Sequence, residues 1–129
     1  MAIAFEEVVF DGPRPVDGYG PDGFRIGGQW VEGGVFLSPS ILLPWQPEGV
    51  PVPEDFERIT GHLGDIDVVL LGMGAAPRMP EPAVQAIFDM RGVGLEPMET
   101  AAACRTYNVL VGEGRRIGAA LLPASTAFL

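Results

Sequence analysis

The segment Glu96 to Leu122 constrains this chain more than any other, because it reads without a gap as strand, helix start, helix, stop and strand. Val93 to Met98 is an apolar strand, Thr100 to Glu113 a helix, and Arg116 to Leu122 a final strand. Thr100 is a good helix N-cap, with Glu99 beside it near the positive end of the helix dipole. Ala103, Tyr107 and Leu110 recur at helical spacing and predict a core seam, and the small residues Ala101 to Ala103 let the helix approach its neighbour closely.

The same alternation runs back to Pro53. Pro53-Glu54-Asp55 places a proline at a first helical position and carboxylates in the first turn. Phe56, Ile59 and Leu63 then share one face, with Gly64 placed to close the helix in the left-handed conformation. Asp67 to Gly72 is a short apolar run suited to a strand buried on both faces. Pro80 to Arg91 predicts a helix with Val84, Ile87 and Phe88 inward and Gly92 as its stop. Helices alternating with strands favour parallel pairing through right-handed crossovers.

Before Pro53 the punctuation changes to proline, glycine and short runs of Val, Phe and Ile, which reads as short strands joined by tight turns. Phe5 to Phe10 is an expected first strand, ended by Asp11-Gly12-Pro13. Phe24 to Ile26 pairs with Gln29 to Glu32 across Gly27-Gly28, the glycine spacing of a hairpin. Val35 to Leu37 and Ile41 to Trp45 follow as strands, the latter limited by Pro44. The fold class is α/β, an antiparallel, hairpin-rich N-terminal half joined to a parallel βαβαβ C-terminal half. A chain of 129 residues that is 47% hydrophobic suits one domain with one core. We place it at residues 1–122, with 123–129 expected as a frayed tail.

Charge and cysteine usage exclude several function classes. Eight arginines and no lysine stand against 17 acidic residues, a formal net charge of -9, which argues against nonspecific binding to nucleic acid or an anionic membrane. Without lysine a P-loop is excluded. The lack of lysine beside abundant Ala, Gly, Pro and Arg suggests GC-biased coding and points to a bacterial source. A single cysteine makes neither an internal disulfide nor a structural zinc site, so the expected compartment is the cytoplasm. Met1 to Phe10 lacks the basic and apolar regions of a signal peptide, and no segment carries enough apolar residues to span a bilayer.

Few residues suggest chemistry. Gly72-Met73-Gly74-Ala75-Ala76 follows the buried strand and could bring backbone amides close to a ligand, but it lacks the third glycine of a dinucleotide fingerprint. Cys104 lies one turn into the Thr100 helix, where the dipole and Arg105 could lower its pKa, yet the one histidine, His62, is in another helix and burial explains the thiol better. His62 itself reads as a favourable charge at a helix end. No spacing suits a metal centre. Arg105, Thr106 and Asn108 fall partly off the core seam, free for surface recognition or for hydrogen bonds to adjacent loops. Glu113 could pair with Arg115, and Arg115 and Arg116 complement the helix C-terminus. Trp30, Phe36 and Trp45 read as core aromatics, with an exposed apolar patch as the alternative. No catalytic, metal-binding or cofactor-binding residue is assigned.

Gly72-Met73-Gly74, Glu96-Pro97-Met98-Glu99-Thr100, Ala103 with Thr106-Tyr107-Asn108-Val109-Leu110, and Glu113-Gly114-Arg115, taken in that order, resemble the Mth-type domain family, which includes a mitochondrial respiratory complex I assembly factor and an adipogenesis-associated protein. The resemblance covers roughly Phe24 to Leu122. It implies a single three-layer α/β domain with no recognised cofactor, acting as an interaction or assembly protein. Lacking a mitochondrial presequence, the chain looks like a bacterial cytoplasmic member. The resulting expectation is a non-enzymatic protein assisting assembly of NADH:ubiquinone oxidoreductase, with respiratory complex subunits or another assembly factor as partners. Its binding surface would comprise Gly72, Gly74, Thr100, Arg105, Thr106, Asn108 and Arg115. The alternative is a small-molecule or anion-binding enzyme with a pocket near Gly72 to Gly74 and the N-terminus of the Thr100 helix. An open sheet edge could also pair two copies of the chain.

Overall fold

A computed structural model describes residues 7–128 and organises them around a six-stranded mixed sheet. Its strands are β1 (Val8–Val9), β5 (Val35–Leu37), β6 (Ile41–Pro44), β7 (Val68–Gly72), β8 (Gly94–Met98) and β9 (Ile117–Leu121), in the order β1-β6-β5-β9-β7-β8. A second, three-stranded antiparallel sheet is formed by β2 (Val16–Tyr19), β3 (Gly23–Ile26) and β4 (Gln29–Glu32). The helices are α1 (Glu57–Thr60), preceded by a 3-10 turn at Pro53–Phe56, α2 (Pro82–Asp89) and α3 (Thr100–Gly112). Of the strand expected at Phe5 to Phe10, Phe5 and Glu6 lie outside the described residues, and Val8 and Val9 pair with Leu42 and Ile41.

The two halves of the chain meet at β9, which pairs antiparallel with β5 and parallel with β7. Alternate residues of the sheet point to opposite faces, and both faces are covered. On one face Phe36, Leu43, Val69, Leu71 and Ala120 pack against Phe56 and Ile59 of the 3-10 turn and α1 and Val84 and Phe88 of α2. On the other, Val35, Leu37, Leu70, Ile117 and Ala119 pack against Ala103 and Tyr107 of α3 and against Val16, Phe24 and Val31 of the small sheet. The result is three layers. Phe36, Phe56 and Phe88 have no exposed surface, and full burial of such a side chain contributes about 1.5–3 kcal/mol.

Small residues on β9 set the spacing. Ala119 lies in the same cluster as Ala103 of α3, and a side chain on Gly118 would meet the Phe36 ring at 3.1 Å. Gly92 and Gly114 end α2 and α3 with φ of +67° and +78°, in the left-handed region that glycine enters without a steric penalty.

Gly64 does not close α1. The helix ends at Thr60, Gly61 remains right-handed at φ -69°, and Gly64 has no positive φ. The chain tightens instead into short-range bonds, His62 N–H to the Ile59 carbonyl and Ile66 N–H to the Leu63 carbonyl, so no left-handed residue is needed. Thr60 contributes by donating its hydroxyl to the Glu57 carbonyl. Asp55 accepts the Val52 N–H at 2.8 Å, as suits an acidic residue in the first turn.

Pro97 sits on edge strand β8. Gly94 N–H donates to the Asp67 carbonyl, so by strand alternation the amides at positions 94, 96 and 98 face β7 and position 97 faces outward. The imino nitrogen therefore lies where a further strand would need a donor.

Candidate functional site

The glycine run after β7 and the start of α3 come together as expected, and the chemistry between them differs from the expectation. Thr100 is not the N-cap. That position belongs to Glu99, whose side chain makes no capping bond, and Thr100 is the first helical residue. Its hydroxyl is buried and joins three segments: it accepts the Gly74 N–H at 2.8 Å and donates to the Leu122 carbonyl at 2.7 Å. The Thr100 amide in turn donates to the Gly74 carbonyl, and the Leu122 amide to the Gly72 carbonyl.

The two glycines of the run are closely packed, and at Gly74 no other residue fits. A side chain on Gly72 would approach Thr100 Oγ1 at 3.1 Å and its Cα at 3.2 Å. Gly74 has φ +91°, and a side chain there would collide with the Thr126 carbonyl.

In an open α/β sheet, ligands bind beyond the carboxyl ends of parallel strands where successive helices depart to opposite faces. Here that place lies between β7, followed by α2, and β8, followed by α3. The chain's own groups fill it. Met73 N–H donates to the Met98 carbonyl, Gly74 N–H to Thr100 and Ala75 N–H to the Thr126 carbonyl, so three successive amides are occupied. Two open clefts flank the region. One of about 350 Å³ lies among Gly33, Trp45, Gln46, Leu122 and Phe128, and one of about 200 Å³ among Met73, Ala75, Arg78 and Phe128.

The remaining candidates separate by environment. Arg105 and Arg115 are exposed and Thr106 is half-buried. Asn108 is not free for a partner: its Oδ1 accepts the Val16 N–H and its Nδ2 donates to the Val16 carbonyl, both at 2.8 Å, so the side chain imitates a paired strand residue at the start of β2. Val109, 59% exposed, lies one turn beyond Arg105 on the outer face of α3, and helical spacing from Arg105 would have found it. Arg116 pairs with Asp67 at 2.9 Å; among the described residues no ion pair joins Glu113 to Arg115.

Cys104 is buried, and desolvation pushes its thiol up to about 12 against a smaller opposing effect of Arg105. The thiolate is therefore disfavoured at neutral pH. Tyr107 is also buried, its pKa raised by the same cause, and its hydroxyl has no partner among the described residues. His62 stands 3.8 Å from Glu7. Phe36 and Trp45 are core residues, Trp45 donating its indole N–H to the Asp55 carbonyl, while Trp30 is half-buried against Gly20 and Gly23. No cluster of three His, Cys, Asp or Glu able to hold a metal occurs among the described residues, nor does a helix long and apolar enough to cross a membrane.

The residues after Leu122, expected to fray, run back across the molecule. Ser125 donates its amide and hydroxyl to the Pro21 carbonyl, at 3.0 and 2.7 Å, and the Thr126 carbonyl receives the Ala75 amide at 2.8 Å. Phe128 packs against the first core with the Arg78 guanidinium 5.4 Å above its ring. No periodicity marks this segment in the sequence.

Comparison with known proteins places this geometry in a family. The chain is 41% identical to an uncharacterized protein of Rhodobacter capsulatus, over 94% of both chains. It is 32% identical to NADH dehydrogenase [ubiquinone] 1 alpha subcomplex assembly factor 3 of Bos taurus, across 84% of this chain and 60% of that protein's length. Among solved structures, an outer membrane protein from Bartonella henselae superposes with a TM-score of 0.82 at 31% identity, covering 88% of this chain and 98% of that one. Residues 16–122 match the model of a family described as a protein of unknown function, DUF498/DUF598. The chain belongs to that family, and the Mth-type likeness read from its sequence holds.

Proposed function

We propose that this chain is a protein-binding factor that assists assembly of respiratory complex I and acts in a bacterial cytoplasm. The observation that carries the reading is the 32% identity, over 84% of this chain, with an assembly factor of NADH dehydrogenase. The local chemistry agrees with a binding role: the place where a ligand would sit beyond β7 and β8 is filled by Thr100, and the Cys104 thiol is held protonated.

The contact surface we assign is the outer side of α3 at Arg105, Thr106 and Val109, together with Arg115 in the connection that follows the helix. An exposed apolar side chain flanked by guanidinium groups suits a partial apolar contact with an acidic rim on the partner. Gly72, Gly74, Thr100 and Asn108 serve this surface from behind, by fixing α3 to the sheet and to β2. The partner is a complex I subunit or a second assembly protein.

The test is deletion of the native gene followed by NADH oxidation in isolated membranes, with rescue by the unsubstituted gene and by R105E/V109D. We expect loss of activity, rescue by the first and none by the second. Unchanged activity on deletion would sink the complex I role.

A further inference from the structure

We infer that the contact surface on α3 continues across the outward face of the small sheet, where Trp30 and Arg25 anchor a protein partner presenting an apolar centre ringed by acidic side chains. The inference rests on the protein-binding reading and is independent of complex I. A stable protein interface engages about 20–30 residues on each side. The outer side of α3 supplies Arg105, Thr106 and Val109, with Arg115 beyond the helix, far short of that number. The helix packs over β7 and β9. On one flank β8 ends the large sheet; on the other, Asn108 ties α3 to β2 through the Val16 backbone. The small sheet is thus the neighbouring part of the same layer, and β4 lies two strand spacings, about 10 Å, beyond β2.

The outward face of that sheet presents an aromatic anchor. Phe24, Ile26 and Val31 turn into the core, so Arg25 and Trp30, paired across β3 and β4, face out. Gly18, opposite Arg25 on β2, adds no side chain. Trp30 rests against the backbone of two glycines: a side chain on Gly23 would meet its ring at 2.8 Å and one on Gly20 at 3.1 Å. This support restrains the indole, and among the described residues no aromatic ring or guanidinium covers it. A restrained aromatic gives up little conformational freedom on contact, and tryptophan is enriched among the residues that dominate interfaces.

The charges select the partner. The chain has 17 acidic residues against 8 arginines, yet Arg25, Arg105 and Arg115 are exposed and make no ion pair among the described residues. The acidic side chains nearby are engaged or marginal: Asp17 accepts the Gly28 amide, Asp22 accepts the Ser125 hydroxyl, Glu32 ends β4 and Glu113 follows α3. Guanidinium groups around Trp30 and Val109 match carboxylates around an apolar centre, and they repel a basic partner.

The test places a photoreactive benzophenone side chain in the full chain, one position at a time, at Glu32 beside Trp30, at Val109, and at the exposed Met90 on the opposite layer. After irradiation in native cells, Glu32 and Val109 should yield an adduct with the same protein, and Met90 should not. The partner peptide joined at Glu32 should carry Asp or Glu near the attachment. In the Glu32 probe chain, W30A and R25E should each lower the yield about tenfold or more, and R25K less. Urea unfolding checks that W30A still folds, and R25E lies at an exposed position where folding is expected to persist. An adduct from Val109 that Glu32 does not share, a basic partner peptide, or a yield that R25E leaves unchanged would overturn the inference and leave the α3 surface in place. No adduct from either position would overturn both. A shared adduct alongside unchanged membrane NADH oxidation on gene deletion would keep the joined surface and remove the complex I role.

Discussion

The Thr100 hydroxyl and the Gly74 amide lie 2.8 Å apart, and with the Leu122 carbonyl they hold the ends of β7 and β9 against the first turn of α3. Replacing Thr100 by valine keeps the shape and leaves a buried donor and a buried acceptor unpaired, each costing about 1–3 kcal/mol. Urea unfolding should show T100V destabilised by about 2–6 kcal/mol and T100S by about 1 kcal/mol or less. Equal losses for the two would mean that the methyl group, not the hydroxyl, matters.

Asn108 should behave as a structural residue. N108A removes both bonds to Val16 and should cost about 1–3 kcal/mol, with faster hydrogen exchange at the Val16 amide. R105A should leave unfolding within about 0.5 kcal/mol, as expected for an exposed position. An N108A protein as stable as the unsubstituted chain would return Asn108 to the contact surface.

Burial of Cys104 gives a pH dependence of known sign. The thiol titrates near 9.0 when unfolded and is pushed up to about 12 when folded. Below pH 9 both states are protonated and the group is silent; between pH 9 and 12 the unfolded chain ionises first and stability falls. C104A should flatten part of that alkaline loss, and iodoacetamide should label the folded protein far more slowly than the denatured one at pH 8. Rapid labelling of folded protein would contradict the burial.

The Tyr107 hydroxyl is buried and has no protein hydrogen-bond partner among the described residues. Y107F should be neutral or raise stability by about 1 kcal/mol. Destabilisation beyond about 1 kcal/mol would show that an ordered water satisfies the hydroxyl.

Pro97 blunts the β8 edge. P97V restores an outward amide to the strand and should produce concentration-dependent self-association in sedimentation, at concentrations where the unsubstituted chain shows less. Identical sedimentation would place any self-pairing elsewhere.

The C-terminal half was legible because its signals are local. The faces of α2 and α3, the run at β7 and the stops at Gly92 and Gly114 are set by spacing within one element, and the hairpin across Gly27-Gly28 follows from turn chemistry alone. Thr100 misleads for a physical reason: a threonine beside a helix start satisfies the rule for a cap, and here its hydroxyl, packed against the bare Cα of Gly72, bonds to Gly74 and Leu122 instead. Asn108 finds its partner at Val16, a separation of 92 residues that no window of the sequence spans. Of the candidate surface, Arg105, Thr106 and Arg115 keep accessible side chains, while Gly72, Gly74, Thr100 and Asn108 hold the scaffold together.

The position of β9 also dictates an order of events during synthesis. It is the seam between the antiparallel and parallel halves, yet it follows every other strand in the chain. Until residue 121 has left the ribosome, β5 and β7 each present an unpaired inner edge, and the two halves have no strand through which to join. From the completion of β8 at Met98 to that of β9 at Leu121, the nascent chain therefore carries the two halves of one sheet unjoined, each with an open inner edge.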